Sequence, residues 1–174
     1  ASFARYQLAL VFLAKKDGEN AAIQFSAVAD SGADAKLKVE CGFRAAEAYD
    51  AIGWYEAAET RYKQVQDQFP DSPYAERAAY GHAWALYHAG KIADASVGAR
   101  TYLDRYPEGP NAIGTAYLQG NCAQQQNDYD TAIAIYRTLR EKHADSPFAA
   151  RAQYKIAWTL FLAGKMDEAK REVA

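Results

Sequence analysis

The residues of this chain with the means to do chemistry are few, and their spacing points away from catalysis. His82, His88 and His143 stand at no metal-ligand spacing with Cys41 or Cys122, and neither HExxH nor CxxC occurs. GxGxxG, P-loop and GxSxG patterns are absent as well. Asp94, Asp128, Asp130 and Asp167 gather near expected helix starts, where the helix dipole favours acids. No catalytic residue, cofactor or metal is expected. The chemistry left is recognition. Residues four apart share a helix face, which gives the stripes Tyr80, Trp84, His88; Tyr117, Asn121, Gln125; and Tyr154, Trp158, Leu162, with Arg77 and Arg151 beside the first and last. An aromatic face with a few cations suits an extended peptide or a partner helix, because Trp, Tyr and Arg most often dominate binding energy.

The elements that position these stripes follow from a repeat. Tyr6, Phe43, Tyr80, Tyr117 and Tyr154 recur every 37 residues, and so do Ala21, Ala58, Ala95, Ala132 and Ala169. An array of one unit without insertion or deletion follows: 1–33, 34–70, 71–107, 108–144 and 145–174, the last cut within its second half. Each unit reads as two helices. In the third they run Pro73 to Ala89 and Ile92 to Tyr106, with Ser72 as N-cap, Pro73 in the first turn and Pro107 as the stop. Gly53, Gly90 and Gly164 stand in the turn between paired helices, where a left-handed residue ends the first, and Asn127 takes that place in the fourth unit. A small-residue column, Ala9, Ala46, Ala83, Gly120 and Ala157, marks where the two helices of a unit cross closely. The aromatic column has two open roles, packing between neighbouring first helices or touching a ligand. Trp84 and Trp158 stand evenly between the two roles, since their equivalents are Leu10, Glu47 and Asn121 and the fold does not demand tryptophan there.

Gly53-Trp54-Tyr55-Glu56-Ala57-Ala58, Gly90-Lys91-Ile92-Ala93-Asp94-Ala95 and Gly164-Lys165-Met166-Asp167-Glu168-Ala169 resemble the Gly-x-Tyr-x-x-Ala turn of the tetratricopeptide repeat family. Tyr62, Val65 and Pro70 fit its second helix and stop. The resemblance covers the whole chain and implies an all-α, right-handed superhelical solenoid of stacked antiparallel helix pairs, with first helices lining the concave side. Three places depart from the family pattern: a period of 37 rather than about 34, Lys16 at the first turn-glycine position, and Ala144 where the fourth unit's stopping proline belongs. The junction Phe69-Pro70-Asp71-Ser72-Pro73-Tyr74-Ala75 resembles a bacterial subgroup that includes outer-membrane assembly lipoproteins and periplasmic repeat proteins. The family's carboxylate clamp of lysines and asparagines is not expected, because an aromatic holds a key lysine place and Asn121 is the one asparagine match.

Composition sets further bounds. A formal net charge of −2 argues against nucleic acid as partner, and no run approaches the roughly 20 apolar residues of a membrane span. Cys41 and Cys122 lie more than two repeats apart, beyond the reach of a disulfide in a stack, and read as buried thiols. Phe3 to Ala14 is apolar around most of its circumference, which predicts cover on both sides by further repeats or by another copy. The chain reads as part of a longer protein: a non-catalytic interaction scaffold that binds a peptide or helix in its concave groove, with the bacterial envelope favoured over the cytoplasm. The rival readings are the recognition arm of a larger enzyme and a self-assembly module stacking through its apolar ends.

Overall fold

A computed structural model describes residues 2–173; Ala1 and Ala174, the outer limits of the first and last expected repeats, lie outside the described residues. The described residues form α1 (Ser2–Ala14), α2 (Gly18–Ala29), α3 (Ala35–Ala51), α4 (Tyr55–Gln68), α5 (Ala75–His88), α6 (Ile92–Arg105), α7 (Ala112–Gln125), α8 (Tyr129–Lys142), α9 (Pro147–Leu162) and α10 (Met166–Glu172), with no strand among them. By packing, the chain divides into two compact units, Ala1–Gly90 and Lys91–Ala174.

The turn inside each helix pair is set by one left-handed residue. Gly53, Gly90 and Gly164 have φ of 80°, 78° and 75°, and Asn127 has 62°. Lys16 takes the same conformation at φ 60°, so the first pair turns as the others do although it lacks the glycine. Local hydrogen bonds hold it there: the Lys16 N–H donates to the Leu13 carbonyl and the Asp17 N–H to that of Phe12. The Asn127 turn repeats the pattern, with Asn127 donating to Gln124 and Asp128 to Ala123. Ala144 likewise leaves the fourth pair unchanged. Helices α4, α6 and α8 all end at equivalent residues, Gln68, Arg105 and Lys142.

One helix start differs from the sequence expectation. The third unit's first helix begins at Ala75 rather than Pro73, and Ser72 is not its cap. Instead a turn intervenes, with the Ser72 N–H donating to the Phe69 carbonyl and Ala75 to Ser72, which leaves the Ser72 hydroxyl buried without a partner. Tyr106, Gly109 and Ala112 repeat that turn before α7. Only at α9 does the serine cap: Ser146 Oγ accepts the Phe148 N–H at 3.1 Å, with proline in the first turn.

Within the first unit, small residues let the paired helices approach. Ala9 and Ala21 share one buried cluster with Phe25, Val28 and Cys41, and Ala46 and Ala58 share the next with Phe43, Tyr62 and Val65. Burying a side chain such as Phe25 is worth about 1.5–3 kcal/mol. In the second unit Leu118, Tyr136, Ile156 and Leu160 fill the interior. Arg140 and Arg137 both reach the Glu172 carboxylate, and Gln153 donates to the Glu172 carbonyl, which fastens α10 to α8 and α9. Both cysteines are buried free thiols; burial pushes Cys41 up to about 12 and Cys122 up to about 11, so neither is a thiolate near neutrality.

Candidate functional site

In the first unit the expected stripe on α5 is a continuous ring cluster. His88 stacks on Trp84 at 5.5 Å between centroids and on Tyr55 of α4 at 5.0 Å. Tyr80 and Tyr87 meet the indole edge-on. The Trp84 indole N–H is buried without a hydrogen-bond partner, a donor left unused. Arg77 is tied down: its guanidinium lies 2.8 Å from the Glu47 carboxylate and 4.5 Å over the Phe43 ring. Burial raises the Glu47 carboxyl even though Arg77 and Arg44 oppose the shift, and burial raises Asp50 beside it. The α3–α5 face is therefore aromatic with an acidic border.

The second unit sorts its expected residues by depth. Tyr117 is 8% exposed between the rings of Tyr136 and Phe148, at 5.7 and 5.4 Å. Asn121 is 4% exposed, and its Oδ1 accepts the Tyr136 hydroxyl at 2.8 Å. Both were expected on the partner face. They are instead interior residues, because Tyr136 of α8 packs against both and Phe148 of α9 against Tyr117. On α9 the reverse holds. Tyr154 is 66% and Trp158 43% exposed, with Phe161 stacked on the indole at 5.4 Å and Leu162 beside them. Arg151 is exposed and packs over the Phe148 ring at 5.6 Å.

Two members of the aromatic column, Phe43 and Tyr117, share one job, while Tyr6 meets Phe25 and the Glu40 carboxylate and Tyr80 meets Trp84 on its own helix. Phe43 takes the Tyr74 ring from the start of the next first helix at 5.1 Å, as Tyr117 takes Phe148. Tyr154 presents the same register on α9 with no ring upon it among the described residues.

Three residues, Gln124, Lys155 and Trp54, escaped the sequence reading. Gln124 is buried, and its amide joins Lys155 Nζ to the Thr159 hydroxyl. The available signal was the column Gln7, Arg44, Gly81, Leu118, Lys155, in which a lysine stands where Leu118 is wholly buried. Trp54, exposed and stacked on Tyr49, was read only as part of a turn.

A family model described as outer membrane lipoprotein (YfiO) matches residues 42–128, and a tetratricopeptide repeat model matches residues 117–173. The outer membrane protein assembly factor BamD of Caulobacter vibrioides is 25% identical over 119 residues, 64% of this chain and 39% of that protein. The protein of the same name from Xylella fastidiosa strain 9a5c is 32% identical over 92 residues, 53% of this chain and 32% of that one. The chain therefore spans about a third of the length of these relatives. Among solved structures, a tetratricopeptide repeat protein from Parabacteroides merdae superposes with a TM-score of 0.80 at 17% identity, covering 98% of this chain and 63% of that one. MamA from Desulfovibrio magneticus does so with a TM-score of 0.80 at 13% identity, covering 99% and 90%. These neighbours share the fold, an all-α tetratricopeptide-like solenoid. With the outer membrane lipoprotein model matching half of its residues, on repeats of this kind, the chain belongs to that family.

Proposed function

We propose that this chain is a non-catalytic scaffold for protein assembly at the bacterial outer membrane, holding a peptide or helix of a partner on a first-helix face within a unit. The setting is taken from the names of its relatives. The observation that carries the binding reading is in the first unit: Trp84 with its unused N–H, Tyr80 and His88 form one aromatic surface on α5, and Arg77 shapes its edge through Glu47. In the second, Arg151, Tyr154 and Trp158 make the contact, and Tyr117 and Asn121 support it from beneath.

Site-specific photocrosslinking tests this directly. A benzophenone amino acid at position 158 should capture a discrete protein partner in bacterial envelopes, whereas the same group at the exposed Val97 should not. Equal capture at both positions, or at neither, contradicts the reading.

A second reading rests on a separate feature. Phe3, Leu8, Val11 and Leu13 of α1 are exposed large apolar residues, and such a face suits self-association. Light scattering across a concentration series distinguishes the two: growth of the scattering mass that Leu8→Ser/Val11→Ser abolishes favours self-association, and a constant mass removes it.

A further inference from the structure

One cleft recurs in both units, closed in the first and open in the second. In the first it lies between the end of α2, the start of α3 and the end of α4, where Ala29, Lys38, Gly42, Val65, Gln68 and Phe69 leave about 20 Å³. Two repeat lengths further on, their equivalents Leu103, Ala112, Ala116, Leu139, Lys142 and His143 line an opening of about 450 Å³ between α6, α7 and α8. The lining of the closed cleft falls within residues 29–69, so the following helix pair is not what shuts it. The lining of the open one falls within residues 103–143, on helices that run to their caps. The difference comes from the side chains at equivalent positions.

The first unit fills its cleft with long residues of its own. Phe69 and Lys38 are half-buried there, and the Arg61 guanidinium donates to both carboxylate oxygens of Asp30 at 2.6 Å. Those hydrogen bonds, with the charge of Lys38 behind them, hold the Asp30 carboxyl below its ordinary range against the opposing effect of burial. The second unit keeps the acid and loses both cations. Asp104 stands in the place of Asp30, next to Leu103, and Glu108 lines the junction, but Ala112 replaces Lys38 and Ile135 replaces Arg61. Phe69 becomes His143, which is exposed. Asp104 and Glu108 are exposed and have no ion-pair partner among the described residues. An apolar floor of Leu103, Ile113, Ala116 and Leu139 is left, with uncompensated carboxylates along its α6 side.

We infer that the open cleft receives an arginine side chain from a segment of a partner protein, its methylenes on the floor and its guanidinium on Asp104 as Arg61 lies on Asp30. The first unit thus carries internally what the second takes from outside. Arginine suits the place better than lysine, because its planar fork pairs with a carboxylate through two bonds and is the more weakly hydrated cation. The volume lies within the range of about 300–1,000 Å³ usual for ligand clefts, so apolar neighbours of the arginine enter with it. Lys142, where the first unit has Gln68, stands on the α8 wall without an acidic partner among the described residues. Its charge opposes a cation, which leaves the α6 side as the place for the guanidinium. This cleft is distinct from the α5 surface and its role does not depend on the reading given to that surface.

Methyl-resolved NMR titration reads affinity and place together. The probes are short acetylated and amidated peptides with leucine on either side of a central arginine, of citrulline (its neutral isostere) or of glutamate. The arginine peptide should shift the methyl signals of Leu103, Ile113 and Leu139 and leave those of Ala29 and Val65 in the closed cleft unmoved. It should bind about tenfold more tightly than the citrulline peptide, with the glutamate peptide weaker still. The preference for arginine should vanish in Asp104→Asn and grow in Lys142→Gln, two exposed positions where the fold tolerates change. It should also shrink between about 0.05 and 0.5 M salt in the unaltered chain, a reading that needs no variant. Equal affinity for the arginine and citrulline peptides overturns the inference, as does a preference undiminished in Asp104→Asn. No binding by any probe, or shifts confined to other residues, removes the site altogether. Shifts at Leu103 and Leu139 that grow with protein concentration alone would make the cleft a contact between copies and overturn the partner.

Discussion

Lys16 turns the chain through a φ of 60° in the position that glycine holds at Gly53, Gly90 and Gly164. A side chain there meets the backbone carbonyl, which costs an L-residue about 1–2 kcal/mol. Lys16→Gly should therefore stabilise the first unit by about 1 kcal/mol, part of the relief being offset by glycine's greater freedom when unfolded, and a chemical melt would show it. Asp50 is a second residue under tension. One of its carboxylate oxygens is buried without a partner, and burial raises its pKa from 3.8. The protonated acid is then the form the fold prefers. Its contribution to stability is complete below the unfolded value and is lost as pH rises through the folded one. Asp50→Asn should accordingly raise the melting temperature at pH 7, and that gain should disappear near pH 3. A gain that persists in acid would show that removal of the charge is not the cause.

Between helices the small-residue columns decide how closely elements pack, and glycine marks close approaches to two tyrosine rings. A Cβ on Gly81 would come within 2.5 Å of the Tyr62 ring, and one on Gly120 within 2.6 Å of Tyr136. Tyr62 and Tyr136 are both buried, and Tyr136 is tethered to Asn121, so neither ring can step aside. Alanine favours an isolated helix by about 0.8–1.0 kcal/mol over glycine, but overpacking costs about 1–3 kcal/mol. Gly120→Ala should thus lower the melting temperature, against helix propensity, and a rise would refute the close contact. At this scale the sequence was most readable. The left-handed turns, the helix ends and the buried alanines are local chemistry repeated every 37 residues, and each repetition strengthens the others. Helix starts were less legible, because the turn at Ser72 uses backbone bonds that Ser146 shares, yet only Ser146 also caps with its side chain. The site was legible as a face but not as a depth. A stripe at i, i+4 groups Tyr117 with Asn121 and Tyr154 with Trp158 alike, and only the rings that α8 and α9 bring against α7 bury the first pair. Lys155 was hidden for the opposite reason: on a surface helix a lysine is unremarkable until its ammonium is found half-buried without an acid.

Taken over its whole length, the chain is a repeat array of the outer membrane lipoprotein family that spans about a third of its named relatives, and its two units carry different first-helix chemistry. The first is aromatic and acid-bordered around Trp84, the second aromatic and cationic around Trp158. Under the proposed function, these faces would hold partners of different charge on one chain, with Trp84 and Trp158 as anchors. The most direct test is quantitative capture from solubilised bacterial envelopes, comparing the unaltered chain with Trp84→Ala/Trp158→Ala once circular dichroism shows the variant to be helical. The account predicts that outer-membrane assembly proteins captured by the unaltered chain fall about tenfold or more with the variant, as expected for loss of two anchor residues. Full retention of those partners would contradict it, assigning both tryptophans to the stack and moving recognition away from the first helices.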